Sequence, residues 1–180
     1  MPQPADLTTP RLVLRQWRQS DLAPFAAMNA DADVMRYYPA TWTREQSNAF
    51  AERVIRLIDE RGWGFWAVEE RASGQFIGFV GLHVPSNDLP FAPCVEVGWR
   101  LAKQAWGQGY ATEAARAAIA FGFQQLHLAE LVAFTAIANL KSRAVMERLG
   151  MRLDCEFDHP QVPVESWLHR HVLYRLRSPV

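Results

Sequence analysis

Leu101-Ala102-Lys103-Gln104-Ala105-Trp106-Gly107-Gln108-Gly109-Tyr110-Ala111-Thr112-Glu113-Ala114 is the most informative stretch of this chain. On one side lies Val95-Glu96-Val97-Gly98-Trp99-Arg100-Leu101, which alternates apolar with other residues as a strand does. On the other, Thr112 to Leu126 is alanine-rich and reads as a helix. A strand that enters a helix through a two-glycine loop gathers unpaired backbone N–H groups and the positive end of a helix dipole at one point. That arrangement seats a phosphate or pyrophosphate. Glycine suits the loop because a Cβ would hold the anion away from the amides. The loop lacks the Gly-Lys-Ser/Thr of a P-loop and the full G-x-G-x-x-G of a dinucleotide fingerprint. Taken alone, it is equally an ordinary strand-to-helix turn.

Outward from this stretch the chain divides into short alternating or apolar runs and helical segments. Arg11-Leu12-Val13-Leu14-Arg15 predicts a first strand, and Ser20-Asp21 caps a helix to about Ala30. Thr43-Arg44-Glu45-Gln46 has the form of a capping box, and Phe50, Val54, Leu57 and Ile58 follow at helical spacing to about Glu60. Phe65–Val68 and Gln75–Leu82 predict a hairpin around Ala72-Ser73-Gly74. Val84–Cys94, with three prolines, predicts an exposed loop. After the glycine loop and its helix come a strand at Leu131–Thr135, a helix at Leu140–Leu149 ending at Gly150, and a last strand from about Trp167 to Leu176. The order β-α-α-β-β-β-α-β-α-β predicts an α/β fold with a mixed sheet and helices on its faces.

Bulk properties narrow the classes. The 180 residues suit a single domain, 1–180, with a sizeable core. Hydrophobic residues at 49% with 21% charged exclude a disordered chain. Nineteen basic residues balance nineteen acidic ones, so no gross charge footprint points to nucleic acid or an anionic membrane. Met1–Asp6 has no basic start leading into an apolar run, and no run of about 18 apolar residues occurs. Cys94 and Cys155 are isolated and form no metal-type spacing. A cytoplasmic location is the expectation.

Five fragments in order resemble the GCN5-related N-acetyltransferase (GNAT) superfamily, and within it the ribosomal-protein N-terminal acetyltransferase (Rim-type) branch. They are Thr9–Arg15, Gly74–Leu82, the glycine-loop stretch, Asn139-Leu140-Lys141-Ser142, and Glu147-Arg148-Leu149-Gly150-Met151. The resemblance implies an acetyl-CoA-dependent N-acetyltransferase with a splayed central sheet, in which the amine attacks the thioester directly. Its implied partners are acetyl-CoA as co-substrate, with no metal, and an amine acceptor, either a protein N-terminus or a small molecule. A homodimer is a possible assembly. A transferase for another acyl-CoA or acceptor, and a non-catalytic acyl-CoA-binding module, are the alternatives.

The family's phosphate loop, Gln/Arg-x-x-Gly-x-Gly/Ala, fits at Gln104–Gly109 or at Trp106–Ala111. The second register leads its amides directly into a helix start at Thr112 and is preferred. It implies pyrophosphate contacts by the amides of Gly107, Gln108, Gly109, Tyr110, Ala111 and Thr112, and a pantetheine arm along Leu101. Balanced charge then implies capture by amides more than by a basic surface.

The reaction needs a neutral amine, a stabilised oxyanion and a proton for the departing thiolate. Glu96 is the candidate base; the alternative is that it turns outward or pairs with Arg100 on the same strand face. Ser142 is the candidate acid or thiol-positioning hydroxyl, with Asn139 holding the cofactor arm or capping its helix. Many relatives carry a tyrosine four residues after that serine, where this chain has Met146. Tyr110 and Tyr174 receive no catalytic role. His83 is a secondary base candidate, although a packed histidine is the commoner case. His169 and His171 read as ordinary sheet residues, and Trp42 or Trp63 is expected to line the acceptor groove.

Overall fold

The structure is a computed structural model and describes residues 4–179. Met1–Gln3, the first half of the Met1–Asp6 segment, and Val180 lie outside the described residues. Eight strands occur among the described residues: β1 Leu7–Thr8, β2 Leu12–Arg15, β3 Phe65–Glu70, β4 Gln75–His83, β5 Glu96–Leu101, β6 Glu130–Ala136, β7 Arg152–Asp158 and β8 Arg170–Arg177. The α-helices among the described residues are α1 Leu22–Ala30, α2 Arg44–Arg61, α3 Tyr110–Gln124 and α4 Leu140–Arg148. The strands make one sheet in the order β1-β2-β3-β4-β5-β6-β8-β7. Every neighbouring pair is antiparallel except β5–β6, which is parallel.

Strand alternation sorts the core into two layers. Trp66, Val68, Val80 and Leu82 face α3, whose Ala114, Ala115 and Ala118 are fully buried against them. At these three positions the small side chain serves close packing and not only helix propensity. Phe65, Ala67 and Phe79 face the other way, onto Phe25 and Met28 of α1 and Ala51, Val54 and Ile58 of α2. The capping box at Thr43 forms as its residues predict: the Gln46 amide donates to the Thr43 hydroxyl and the Gln46 side chain accepts from the Thr43 amide. Gly62 in the left-handed region ends that helix.

Three expectations need correction. Helix α3 begins at Tyr110, two residues before Thr112, because Gly109 at φ 79° takes the N-cap position. Arg152–Asp158 forms an additional edge strand, held by its pairing with β8, and a two-residue strand opens the sheet. Val84–Cys94 is not simply exposed. Leu89 and Phe91 pack with Val132, Phe157 and Leu173 in a third apolar cluster, so this loop is anchored over β6, β7 and β8. Among the described residues, no helix is long and apolar enough to cross a membrane.

Candidate active site

The one parallel pair in the sheet barely forms. Strands β5 and β6 are in register only at Glu96 and Val132, where the Val132 amide donates to the Val95 carbonyl at 3.0 Å. Beyond that point they diverge, leaving the β5 edge from Val97 to Leu101 without a ladder partner on that side. A free strand edge in such a cleft can pair with an amide-bearing, peptide-like ligand. Two cavities open at the divergence, of about 1440 Å³ and about 450 Å³. The first exceeds the volume usual for a drug-sized ligand, so it accommodates a long one.

The glycine loop forms one wall of the larger cavity. Trp106 turns back on itself: its indole N–H donates to the Leu101 carbonyl at 2.9 Å and its amide donates to the Lys103 carbonyl. Gly107 and Gly109 both hold positive φ, 75° and 79°, which L side chains rarely adopt. The first backbone bond of α3 runs from the Glu113 amide to the Gly109 carbonyl, so the amides of Tyr110, Ala111 and Thr112 precede the helical ladder. The opening strand region braces this turn. Arg11 donates to the Gln108 carbonyl at 2.9 Å and pairs with Glu113 at 2.6 Å, while the Thr9 hydroxyl donates to the same carboxylate.

Leu101, Gly107, Gly109, Tyr110, Ala111, Thr112, Asn139 and Ser142 all line the larger cavity. Gln108 does not, because its side chain folds back to the Gln104 carbonyl. The Tyr110 phenol is committed to Glu70, so this residue offers the cavity its backbone. Cations are present as well: Arg116, Lys141 and Arg148 line the same cavity, with Lys141 over the Trp106 ring. The expectation of amide-dominated anion binding is therefore incomplete. Overall neutrality conceals a local cationic wall, and a basic wall beside a helix N-terminus strengthens its attraction for phosphate.

The cavities meet at Tyr37, Tyr38, Trp99, Arg100, Asn139 and Ser142, which line both. Asn139 does cap α4: its side-chain oxygen Oδ1 accepts from the Ser142 amide at 3.3 Å. Its side-chain nitrogen donates to Thr135 and, at 3.1 Å, to the Ser142 hydroxyl oxygen. With an acceptor lone pair already used, the Ser142 O–H is left to donate toward the junction. Met146 lies buried below, and Tyr174 is bonded to Glu147 and Arg143.

Glu96 lines the smaller cavity and makes no ion pair with Arg100. Burial pushes its carboxyl up to about 8, so its proton-accepting form grows in just above neutral pH. His83 is its cross-strand partner and lines the same cavity, stacked on Phe65 with centroids 5.1 Å apart. Burial, aided by Arg53 and Arg61, lowers His83 to about 4, which leaves it neutral and weakly basic. Trp42 lines the smaller cavity, whereas Trp63 packs against the α3 side of the core. His171 packs against His159, with ring centroids 4.7 Å apart and planes tilted by 49°, and lines the smaller cavity; His169 precedes β8 and bonds the Val162 carbonyl.

Sequence reading did not single out Tyr37, Tyr38 or Arg100. The tyrosines sit between α1 and α2 in a stretch without helical or strand periodicity. Arg100 is 6% exposed, against the usual tendency of arginine to stay in water. The alternation of β5 does place Arg100 on the same face as Glu96, and that was the available signal.

Both the sequence and the fold have relatives among known proteins. The Bacillus subtilis protein YkkB is 30% identical over 175 residues, spanning 96% of this chain and 95% of its own. A crystal structure of a GNAT-family acetyltransferase from Bacillus anthracis superposes with a TM-score of 0.81 at 24% identity, over 96% of this chain and 98% of that one. A RimL ribosomal L7/L12 α-N-protein acetyltransferase, solved with coenzyme A, shares the fold at a TM-score of 0.76 and 16% identity, over 96% and 98% of the two chains. Residues 11–152 match the acetyltransferase (GNAT) domain family, a span that holds the glycine loop, the splayed strands and the Asn139–Ser142 turn. With fold, cleft and family match in agreement, this chain belongs to the GNAT acetyltransferase family and is an N-acetyltransferase.

Proposed function

We propose that the protein transfers the acetyl group of acetyl-CoA to a primary amine, on a small molecule or a protein N-terminus, by direct attack. The observation that carries this reading is the junction of the two cavities at the β5–β6 divergence, with Glu96 on one side and Ser142 on the other. The larger cavity takes the coenzyme, its phosphates against the amides of Gly107–Thr112 and its arm along the open edge ending at Leu101. The smaller cavity takes the acceptor.

In the reaction, the neutral amine nitrogen attacks the thioester carbonyl carbon, and a C–N bond forms. The excess proton on nitrogen passes to Glu96, directly or through water, since a carboxyl near 8 is matched to that transfer. The C–S bond then breaks, the Ser142 hydroxyl stabilises the departing thiolate by a hydrogen bond while keeping its own proton, and the proton taken up by Glu96 is released to solvent, from which the thiolate is protonated.

Calorimetry with acetyl-CoA tests the coenzyme assignment, and thiol release across a panel of primary amines tests transfer. Saturable binding with acceptor-dependent release is the expected result; no binding at millimolar acetyl-CoA overturns the reading. Ser142→Ala is expected to lower kcat roughly 10-fold or more while acetyl-CoA affinity stays within about 3-fold. Unchanged kcat removes Ser142 from thiolate stabilisation. Acetyl-CoA binding without release for any amine would favour a non-catalytic binding module.

A further inference from the structure

Arg100 is a buried cation without a carboxylate. It is 6% exposed, and among the described residues no acidic oxygen lies within ion-pair distance of it. Its Nη1 donates to the Asn29 side-chain oxygen at 2.8 Å. Its Nε is buried and has no hydrogen-bond partner. Four aromatic rings surround the guanidinium, with Tyr38 at 4.1 Å and Trp42 at 4.5 Å from the ring centroids, then Phe79 and Phe50. Ring faces offset part of the desolvation of a cation, but a buried guanidinium ordinarily also finds an anion. Because Nη1 is spent on Asn29, the unused edge is Nε with Nη2. That edge holds two parallel N–H groups, the spacing that matches the two oxygens of a carboxylate.

The charge of the smaller cavity points the same way. Arg53 and Arg100 line it as cations, and Glu96 is its one carboxyl among the described residues. Burial keeps Glu96 largely protonated at neutral pH, and it keeps His83 and His171 neutral, with His159 lowered in the same direction. The acceptor cavity is thus net positive, an environment that repels diamines and polycationic acceptors.

We propose that the acceptor is a small amino carboxylate, whose amine meets the thioester while its carboxylate pairs with the Nε/Nη2 edge of Arg100. This inference rests on the acetyl-transfer reading above and specifies its acceptor. Arg100 also lines the coenzyme cavity, so it stands where the two substrates meet. Holding the acceptor by its far end would orient the amine, which is the role of a specificity residue and not of a proton carrier.

The test compares ω-amino carboxylates of graded length with their primary amides and with diamines, at saturating acetyl-CoA. At the best length the carboxylate should exceed both analogues in kcat/KM by roughly 10-fold or more. In Arg100→Gln the ratio should fall to near one, and Arg100→Lys should retain part of it. Acetyl-CoA affinity by calorimetry and the melting profile check that both variants fold. Amides or diamines that match the carboxylates overturn the proposal, as does a carboxylate preference that survives in Arg100→Gln. A purely structural Arg100 would depress all acceptors alike and leave the ratio standing, which counts against it too. Titrating the same acids into the protein without coenzyme reads the Arg100 site alone. Failure to bind acetyl-CoA therefore sinks the transfer reading, while acid binding and its loss in Arg100→Gln decide this one separately.

Discussion

Glu96→Gln is expected to lower kcat/KM by about 10²–10⁴-fold, the usual contribution of a positioned general base, and to remove the ascending limb of the pH profile near pH 8. The limb arises because burial pushes the carboxyl up to about 8, so the proton-accepting form grows in as pH rises through that value. Glutamine keeps the shape and the hydrogen-bonding capacity of the side chain but cannot take a proton. A second rise, from the acceptor's own ammonium near pH ~10, should survive the substitution. The pH at which activity is lost therefore identifies the group.

The same burial has a stability signature of opposite sign. In the unfolded chain Glu96 ionises at an ordinary carboxylate value, while in the folded protein it holds its proton to about pH 8. Between those values the folded state binds more protons, so its stability declines as pH rises and levels off above about 8. Glu96→Gln removes this decline, and its melting temperature at pH 9 should exceed that of the parent protein. A variant that is slower yet more stable is the mark of a carboxyl buried for chemistry. A profile that keeps its limb near pH 8 in Glu96→Gln would assign the proton to another group. His83, its cross-strand neighbour, does not offer a substitute, because a base lowered to about 4 is too weak to drive the transfer.

The contrast between Glu96 and Arg100 shows what a sequence makes legible. Both lie on β5, and the alternation of Glu96-Val97-Gly98-Trp99-Arg100 puts them on one face. Alternation does not say whether that face meets water or a cavity. That answer comes from α1, α2 and the 31–43 segment folding over it, through contacts between residues distant in the chain. Arg100 bonded to Asn29, seventy-one positions away, is such a contact. Tyr37 and Tyr38 were invisible for a related reason: an irregular segment carries no periodicity to read. The Asn139–Ser142 turn was legible because its capping geometry is local, three residues from cap to amide. Strand β7 shows the opposite failure. Arg152-Leu153-Asp154-Cys155-Glu156-Phe157-Asp158 alternates, but that alternation marks no apolar face: Leu153 and Cys155 are exposed and only Phe157 is buried. The strand exists because β8 offers it an edge, and an edge is not written in the strand's own residues.

The glycine loop combines both situations, and Gly109→Trp separates them. Local sequence announced a turn at Gly107-Gln108-Gly109 and put the helix start at Thr112. The chain instead places Gly109 at φ 79° and starts α3 at Tyr110. The first free amides consequently sit closer to Gly109, which lines the coenzyme cavity beside them. Gly109→Trp should lower acetyl-CoA affinity by at least about 100-fold, because the indole denies the phosphates their approach to the amides.

Gly109→Ala supplies the control. A Cβ at that position would meet only the Arg11 guanidinium, at 3.6 Å, which is ordinary contact. Alanine therefore adds the strain of a left-handed residue, about 1–2 kcal/mol, with little bulk. Its affinity should stay within roughly 10-fold of the parent protein while its melting temperature falls by several degrees. If the tryptophan variant binds acetyl-CoA as the parent does, the phosphates do not lie on this loop and the coenzyme assignment fails. If alanine alone abolishes binding, the glycine is required for the backbone conformation it permits rather than for the space it leaves. The graded outcome, mild for alanine and severe for tryptophan, is the one that a phosphate seated on the start of α3 requires.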